Sequence, residues 1–322
     1  MQQNIFAERV NEYAKKRTPF LFIIDFESKK PFVCRLDKAA ENGLIYDING
    51  KTNAVNGQEG CNIELKYFPI DESLYIERFN SVLREINEGN SYLLNLTFPT
   101  QIEINVGLQE IFNMAKAPYK LLMKDQFVVF SPECFIRIKK GKIFTYPMKG
   151  TIDASIKDAE QILMQNKKEE AEHNIIVDLM RNDLSMVAKK VQVSKYRFVQ
   201  KIKTHKNEIL QTSSEIQGQL KEEWKDNLGG MLLKMLPAGS ISGAPKLKTI
   251  QIIKENELVD RGYYTGIFGV FDGKDLDSGV AIRYIEKSDG KMFFKSGGGI
   301  TSMSKAEEEY NELIQKVYIP TV

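Results

Sequence analysis

The chain has 322 residues, 42% hydrophobic, 10% aromatic and 27% charged, which excludes a disordered or fibrous protein. Lys plus Arg (45) nearly cancels Asp plus Glu (43), and the two signs are interspersed, so nothing marks a nucleic-acid partner. The polar start MQQNIFAERVNEYAKKR does not read as a signal peptide, and no run approaches the ~18 apolar residues of a membrane span, so a cytoplasmic protein is expected.

In chain order, periodicity predicts a helix over 1–17, strands at Phe20–Phe26 and Phe32–Leu36, and a helix from Leu74 to Glu88 stopped by Gly89. Strands follow at Tyr92–Phe98, Phe127–Phe130, Phe135–Lys139 and Ile143–Tyr146, with Lys140-Gly141 as a hairpin turn. Helical pattern runs from Ile156 to Lys189, and Pro245 suits the first position of a helix reaching about Leu258. Strands at Gly266–Phe271, Val280–Ile285 and Met292–Lys295 and a helix from Lys305 to about Tyr318 close the chain. The order is strand-rich α+β without regular βαβ alternation, and no linker or repeat divides it, so one domain is expected over 1–322.

Cys34, Cys61 and Cys134 have no spacing suited to zinc or disulfides and read as buried or surface thiols. With only two histidines, a metal would have to be a hard cation on carboxylates. Glu169 and Glu172 share one helix face, and Glu309 and Glu312 share another, continued by Lys316. The second row borders the apolar stripe Tyr310, Leu313, Ile314 and Val317, which suits a cleft; two helices offering one carboxylate each would suit Mg²⁺. A solvated charged face is the alternative.

Centring a hairpin on Lys140-Gly141 brings position 133 opposite 148 or 149, making Glu133 and Lys149 cross-strand neighbours. They could be a general acid and a nucleophile, Lys149 then needing a lowered pKa, or a plain surface ion pair. A turn at Asp289-Gly290 sets Arg283 opposite Ser296, beside Gly297-Gly298-Gly299, where a guanidinium and free backbone N–H groups would receive a carboxylate. Tyr264 falls at a neighbouring strand entry, and Gly239-Ser240-Ile241-Ser242-Gly243 leads into the Pro245 helix. Close strand packing would explain such glycines as well.

Several segments together resemble the chorismate-utilising enzymes: Tyr146-Pro-Met-Lys-Gly-Thr151, Ala171-Glu-His-Asn-Ile-Ile-Val-Asp-Leu-Met-Arg-Asn-Asp-Leu184, Pro237-Ala-Gly-Ser-Ile-Ser-Gly-Ala-Pro-Lys246, Arg261-Gly-Tyr-Tyr-Thr-Gly266, Ser296-Gly-Gly-Gly-Ile300 and Glu309-Tyr-Asn-Glu312. The resemblance covers about residues 80–320, in order. It implies a single large α+β domain of two packed β-sheets flanked by helices, with a shortened N-terminal part at 1–75 and the catalytic core at 76–322. It also implies a Mg²⁺ cofactor. Glu172 and Glu312 match the family's metal ligands, with Glu169 and Glu309 as neighbours. Arg283, Tyr264, Lys316 and the Gly297–Gly299 backbone match substrate contacts, Ser240 stands where the family usually has Thr, and Glu133 matches the general acid.

Lys149 in Pro-Met-Lys-Gly-Thr resembles the aminodeoxychorismate synthases, where such a lysine attacks C2 of chorismate and ammonia then replaces it at C4. That likeness implies amino-group transfer to chorismate for p-aminobenzoate and folate synthesis, with ammonia from a separate glutamine amidotransferase. Anthranilate synthase component I and a catalytically weak chorismate-binding regulatory subunit are the alternatives. Three departures stand out. Leu93 replaces the Lys of isochorismate synthases and the Gln of the aminating enzymes. Gln211-Thr-Ser-Ser214 replaces a His-Leu-Val-Ser segment. Phe20–Glu27 reads FLFIIDFE in place of the Leu-Leu-Glu-Ser motif of tryptophan-sensitive relatives, so no tryptophan inhibition is expected.

Overall fold

A computed structural model describes residues 1–55, 62–203 and 208–321. Cys61 and His205 lie outside the described residues, whereas Cys34 and Cys134 are buried free thiols. The strand Phe20–Ile24 is buried at all five positions because both of its faces are covered. Phe20, Phe22 and Ile24 join the core beneath the helices, while Leu21 and Ile23 join a second apolar layer with Tyr119, Leu121 and Val129. Phe127–Ser131 alternates likewise, Phe127 and Val129 into that shared layer and Val128 and Phe130 into a third layer under Leu108–Met114. The middle layer therefore glues two sheets face to face, and continuous apolar runs mark strands sandwiched on both sides.

Among the described residues both sheets have nine strands, and every pairing is antiparallel. The first runs Met148–Asp153, Glu208–Gln219, Lys142–Thr145, Cys134–Lys139, Leu276–Val280, Ile267–Phe271, Phe20–Ile24 and Phe32–Arg35, with Lys189–Lys203 also on Glu208–Gln219. The second runs Gly243–Ala244, Leu93–Ile104, Lys291–Ile300, Tyr284–Ser288, Phe127–Ser131, Tyr119–Met123, Leu44–Ile48 and Lys51–Thr52, with Leu65–Phe68 also on Leu93–Ile104. The expected α+β architecture of two packed sheets holds.

The helix Glu72–Asn87 starts where Asp71 accepts Ser73 N (2.9 Å) and Leu74 N (3.3 Å), and ends before Gly89 at φ 81°. It buries Tyr75, Phe79, Val82 and Ile86 on one face, each contributing about 1.5–3 kcal/mol of burial. Two expectations need correction. The helix predicted over Ile156–Lys189 is two, Ala159–Gln165 and Lys167–Ser185, because Asn166 leaves helical geometry and caps the second by accepting Glu169 N at 3.1 Å. The strand predicted at Val280–Ile285 is also split: Leu276–Val280 belongs to one sheet and Tyr284–Ser288 to the other, and the chain crosses between them through Arg283 at φ 52°. Pro245 precedes its helix as the cap, and Lys246 is the first helical residue.

Candidate active site

A cleft lined by residues of both sheets contains about 720 Å³ of space continuous with solvent. Leu93, Asn95 and Gly299 line it from one sheet, Met148 and Lys149 from the other, Glu133 from the connection between Phe127–Ser131 and Cys134–Lys139, Glu172 and Ile176 from the Lys167–Ser185 helix, Ser240 and Ser242 from the loop before Pro245, and Glu312 and Lys316 from the last helix and its end.

Lys149 reaches the cleft through a backbone irregularity. Met148 pairs with Ser213 and Thr151 with Gln211, so one extra residue bulges from the strand at Lys149-Gly150. Gly150 takes φ 83°, and a Cβ there would lie 3.1 Å from Glu169 Oε2 and 3.3 Å from Leu163 Cδ1; the Lys-Gly pair is thus what the bulge requires. Thr212 Oγ1, in the segment that departs from the family pattern, donates to the Lys149 carbonyl and holds the bulge. Lys149 Nζ lies 2.6 Å from Glu172 Oε2. Burial pulls its pKa down, but Glu172, with Glu169 and Glu312 nearby, holds it above the ordinary lysine value, contrary to the depressed value that an attacking amine needs.

Glu133 continues the register of the hairpin about Lys140-Gly141, where Lys139 pairs with Lys142 and Arg137 with Phe144. By that register 133 falls opposite 148, as predicted. Glu133 and Lys149 are nevertheless not cross-strand neighbours, because the second strand ends at Thr145 and the chain after Pro147 pairs with Glu208–Gln219 instead. Both side chains face the same cleft with different partners: Ser240 Oγ donates to Glu133 Oε1. Burial raises the Glu133 pKa, partly opposed by that hydrogen bond, so the carboxyl keeps its proton above the usual range.

Of the two carboxylate rows, Glu172 and Glu312 line the cleft, whereas Glu169 and Glu309 do not. Glu172 and Glu309 are buried, Ser304 Oγ donates to Glu309 Oε1 at 2.8 Å, and Glu312 lies 2.6 Å from Lys316 Nζ. Burial raises the Glu309 pKa; for Glu312 burial acts the same way, but Lys316 outweighs it and holds the group below its ordinary value. Glu169 Oε2 is buried without a hydrogen-bond partner. Among the described residues no three His, Cys, Asp or Glu side chains converge as a ready cage. The donor set still fits a hard cation that keeps its waters: an ammonium already sits amid Glu172, Glu169 and Glu312, and Glu169 has an unspent oxygen.

The glycine run corrects another expectation. Gly297, Gly298 and Gly299 lie inside the strand Lys291–Ile300, paired with Thr97, Leu96 and Asn95. The N–H of Asn95 goes to Ser242 O (3.0 Å) and that of Thr97 to Glu257 Oε1 (3.0 Å), so these residues turn their polar groups away from the glycines opposite. In such an antiparallel ladder Gly297 and Gly299 point theirs away too, and only Gly298 faces its partner. Lys316 Nζ accordingly donates to Gly297 O at 2.6 Å. Burial lowers the Lys316 pKa against the opposing pull of Glu312. A Cβ on Gly298 would stand 2.9 Å from Glu309 Oε2.

Arg283 falls opposite Ser296 as predicted, one step beyond the Tyr284–Lys295 pair. Its guanidinium lies 4.9 Å from the Tyr318 ring, with Nη1 3.5 Å from Lys316 O, so two cationic side chains share this corner. Tyr264 is buried behind it, 5.8 Å from Tyr284 ring to ring, its phenol kept protonated by burial. Neither Arg283 nor Tyr264 lines the cleft; Arg283 adjoins it through the Lys316 carbonyl, and Tyr264 is buried.

Sequence reasoning missed the groups that hold the loop. Asp183 accepts Lys246 Nζ at 2.7 Å and Gly239 N at 3.1 Å, fixing the turn that carries Ser240. The Arg261–Glu257 pair is almost fully buried: Glu257 takes Arg261 Nη2 (2.6 Å) and Nε (2.8 Å) as well as Thr97 N and Oγ1. Arg261 donates onward to Ile241 O (2.8 Å) and Asn95 O (2.5 Å), tying the loop to the strand. Glu257 and Arg261 at i, i+4 signal a pair, but the carbonyls it binds are distant in sequence. Likewise Ser214 Oγ lies 2.7 Å from His173 Nε2, and burial then Arg197 push this imidazole down to about 4.

The family model for chorismate binding enzymes matches residues 24–321. The chain belongs to that family. A Haemophilus influenzae protein described as an uncharacterized PabA-like protein is 55% identical over 315 residues, 98% of this chain and 96% of that one. Aminodeoxychorismate synthase component 1 of Bacillus subtilis is 30% identical over 266 residues, 78% of this chain but 55% of the relative, so this chain matches about half of that protein. Menaquinone-specific isochorismate synthase MenF of Escherichia coli has the same fold, with a TM-score of 0.75 over 98% of this chain and 80% of that one, at 16% identity. Among the described residues no helix is long and apolar enough to cross a membrane.

Proposed function

We propose that this chorismate-binding enzyme acts as an aminodeoxychorismate synthase component 1, converting chorismate and ammonia to 4-amino-4-deoxychorismate for p-aminobenzoate and folate synthesis. Lys149 carries the reading, because a glycine-backed bulge directs its amine into a cleft that also holds the protonated Glu133. Released from Glu172 and deprotonated, Lys149 adds to C2 of chorismate with migration of the ring double bond, while Glu133 gives its proton to the C4 hydroxyl, which leaves as water. Ammonia then adds at C4, the C2–N bond breaks, the lysine departs, and one proton of the added nitrogen restores Glu133. Arg283, Tyr264, Lys316 and the outward N–H groups of Gly297 and Gly299 receive substrate carboxylate oxygens, and Ser240 orients Glu133.

Glu172 and Glu312 would hold Mg²⁺, with Glu169 and Glu309 adjoining; bound there, the ion offsets the charge of the ring carboxylate. Ammonia comes from a separate glutamine amidotransferase. The test is incubation of the protein with chorismate, Mg²⁺ and ammonium salt, followed by mass spectrometry and fluorescence. Amination with loss of water, yielding p-aminobenzoate on addition of a lyase, is expected. Fluorescent anthranilate would mean direct ortho addition, the activity named for several relatives 30–36% identical to this chain. Lys149→Ala is expected to abolish para-amination while chorismate still binds; unchanged turnover would sink the covalent route.

A further inference from the structure

We infer that the Asn95 side chain holds the attacking nitrogen, an inference that rests on the aminating reading above. Leu93, where relatives carry a polar side chain, lines the cleft but offers no hydrogen bond. Asn95 lies two residues on, so the strand's alternation puts both on one face, and both line the cleft. Its backbone is clamped on either side, N–H to Ser242 O at 3.0 Å and C=O to Arg261 Nη2 at 2.5 Å, which fixes the position of the Cα that carries its amide.

The other polar side chains of the cleft are engaged. Glu133 has Ser240, Lys149 has Glu172, Lys316 has Glu312 and Gly297 O, and Ser242 Oγ donates to Ala238 O. Asn95 Oδ1 is the one buried side-chain atom among the described residues lining this cleft with no partner. A buried acceptor left empty is unfavourable, which points to a donor that arrives with the reaction. Space is provided opposite, where Gly299 pairs with Asn95 and carries no side chain.

Ammonia has three N–H donors and a single lone pair, so an acceptor that takes an N–H leaves the lone pair free to attack. An amide oxygen serves where a carboxylate or an amine would not. Being uncharged, it does not favour ammonium over ammonia, and it is too weak a base to deprotonate water, so it favours a nucleophile that needs no activation.

Initial rates of Asn95→Leu, measured against ammonium concentration at saturating chorismate and fixed pH, test this. The KM for ammonia should rise about tenfold, the effect of losing one hydrogen bond, with the KM for chorismate within about twofold of wild type. An unchanged KM for ammonia would overturn the assignment. If Asn95→Leu does not fold, Asn95→Ser, which withdraws the oxygen from the cleft without adding bulk, is held to the same criterion. A wild-type protein that gives no aminated product, either with ammonium or with an amidotransferase and glutamine, overturns the aminating reading itself before any variant is made.

Discussion

Removing Glu257 should expose how far the cleft depends on a pair outside it. Its side chain is 4% exposed and that of Arg261 2%, and together they tie Asn95 and Thr97 to Ile241. Glu257→Leu leaves a guanidinium in the interior with carbonyl and hydroxyl partners but no counter-charge, which costs about 3–5 kcal/mol. At ~2.1 cal/mol/K per residue the whole chain unfolds with an entropy near 0.7 kcal/mol/K, so thermal denaturation should shift down by about 4–7 °C. Arg261→Met should cost a similar amount, because the carboxylate is then left alone. The double variant, with no buried charge left, should recover most of the loss and show a coupling energy above about 2 kcal/mol. Circular dichroism melts of the four proteins give the cycle. Additive losses would refute the claim that charge rather than packing governs this pair.

Ser240→Ala removes the hydrogen bond that lowers the Glu133 pKa. In the proposed mechanism Glu133 is the acid, so activity is present while it is protonated and lost as pH rises through its raised pKa; the variant should move that alkaline limb of kcat upward. A downward shift, or none, would show that Ser240 does not act on Glu133. Gly150→Ala forces a left-handed alanine against Glu169, and a loss of roughly 1–2 kcal/mol on denaturant titration is expected, together with reduced turnover as Lys149 is re-aimed. Tryptophan at micromolar levels should not slow turnover. Leu21 and Ile23 are spent in the layer between the sheets, while Asp25 is spent on Lys29 N and Lys30 N and Glu27 on Lys29 and Lys254. An inhibition curve would contradict this.

Much of the site was legible from local rules. The hairpin turns at Lys140-Gly141 and Asp289-Gly290 set registers that hold over the strands beside them, Arg137 opposite Phe144 and Tyr284 opposite Lys295 with Arg283 one step beyond, because strand alternation propagates from a turn; the first register stops before Glu133, since Met148 pairs with Ser213 instead. Helical spacing placed Glu309 beside the apolar seam, where it is buried. The glycine run was located but not explained: whether its N–H groups are free depends on Asn95 and Thr97, two hundred residues away in sequence.

The sequence by itself determined the amphipathic helices, the turn registers and the strands with a clear apolar run, such as Phe20–Ile24, Phe127–Ser131 and Ile267–Phe271, because each is set by neighbours within a few positions; Leu44–Ile48, Tyr119–Met123, Met148–Asp153, Lys189–Lys203 and Glu208–Gln219 are not predicted as strands. Tertiary structure alone decided which charges pair. Lys149 takes Glu172 rather than Glu133, since the chain after Pro147 joins a different strand and turns its bulge towards the helix. It also decided that the run at 280–285 passes between sheets, placing Arg283 at the crossing, and that Arg261 and Glu257 lie where they can hold both the strand and the loop. Such pairings depend on which segments share the interior, where a charge must find a partner regardless of its distance along the chain.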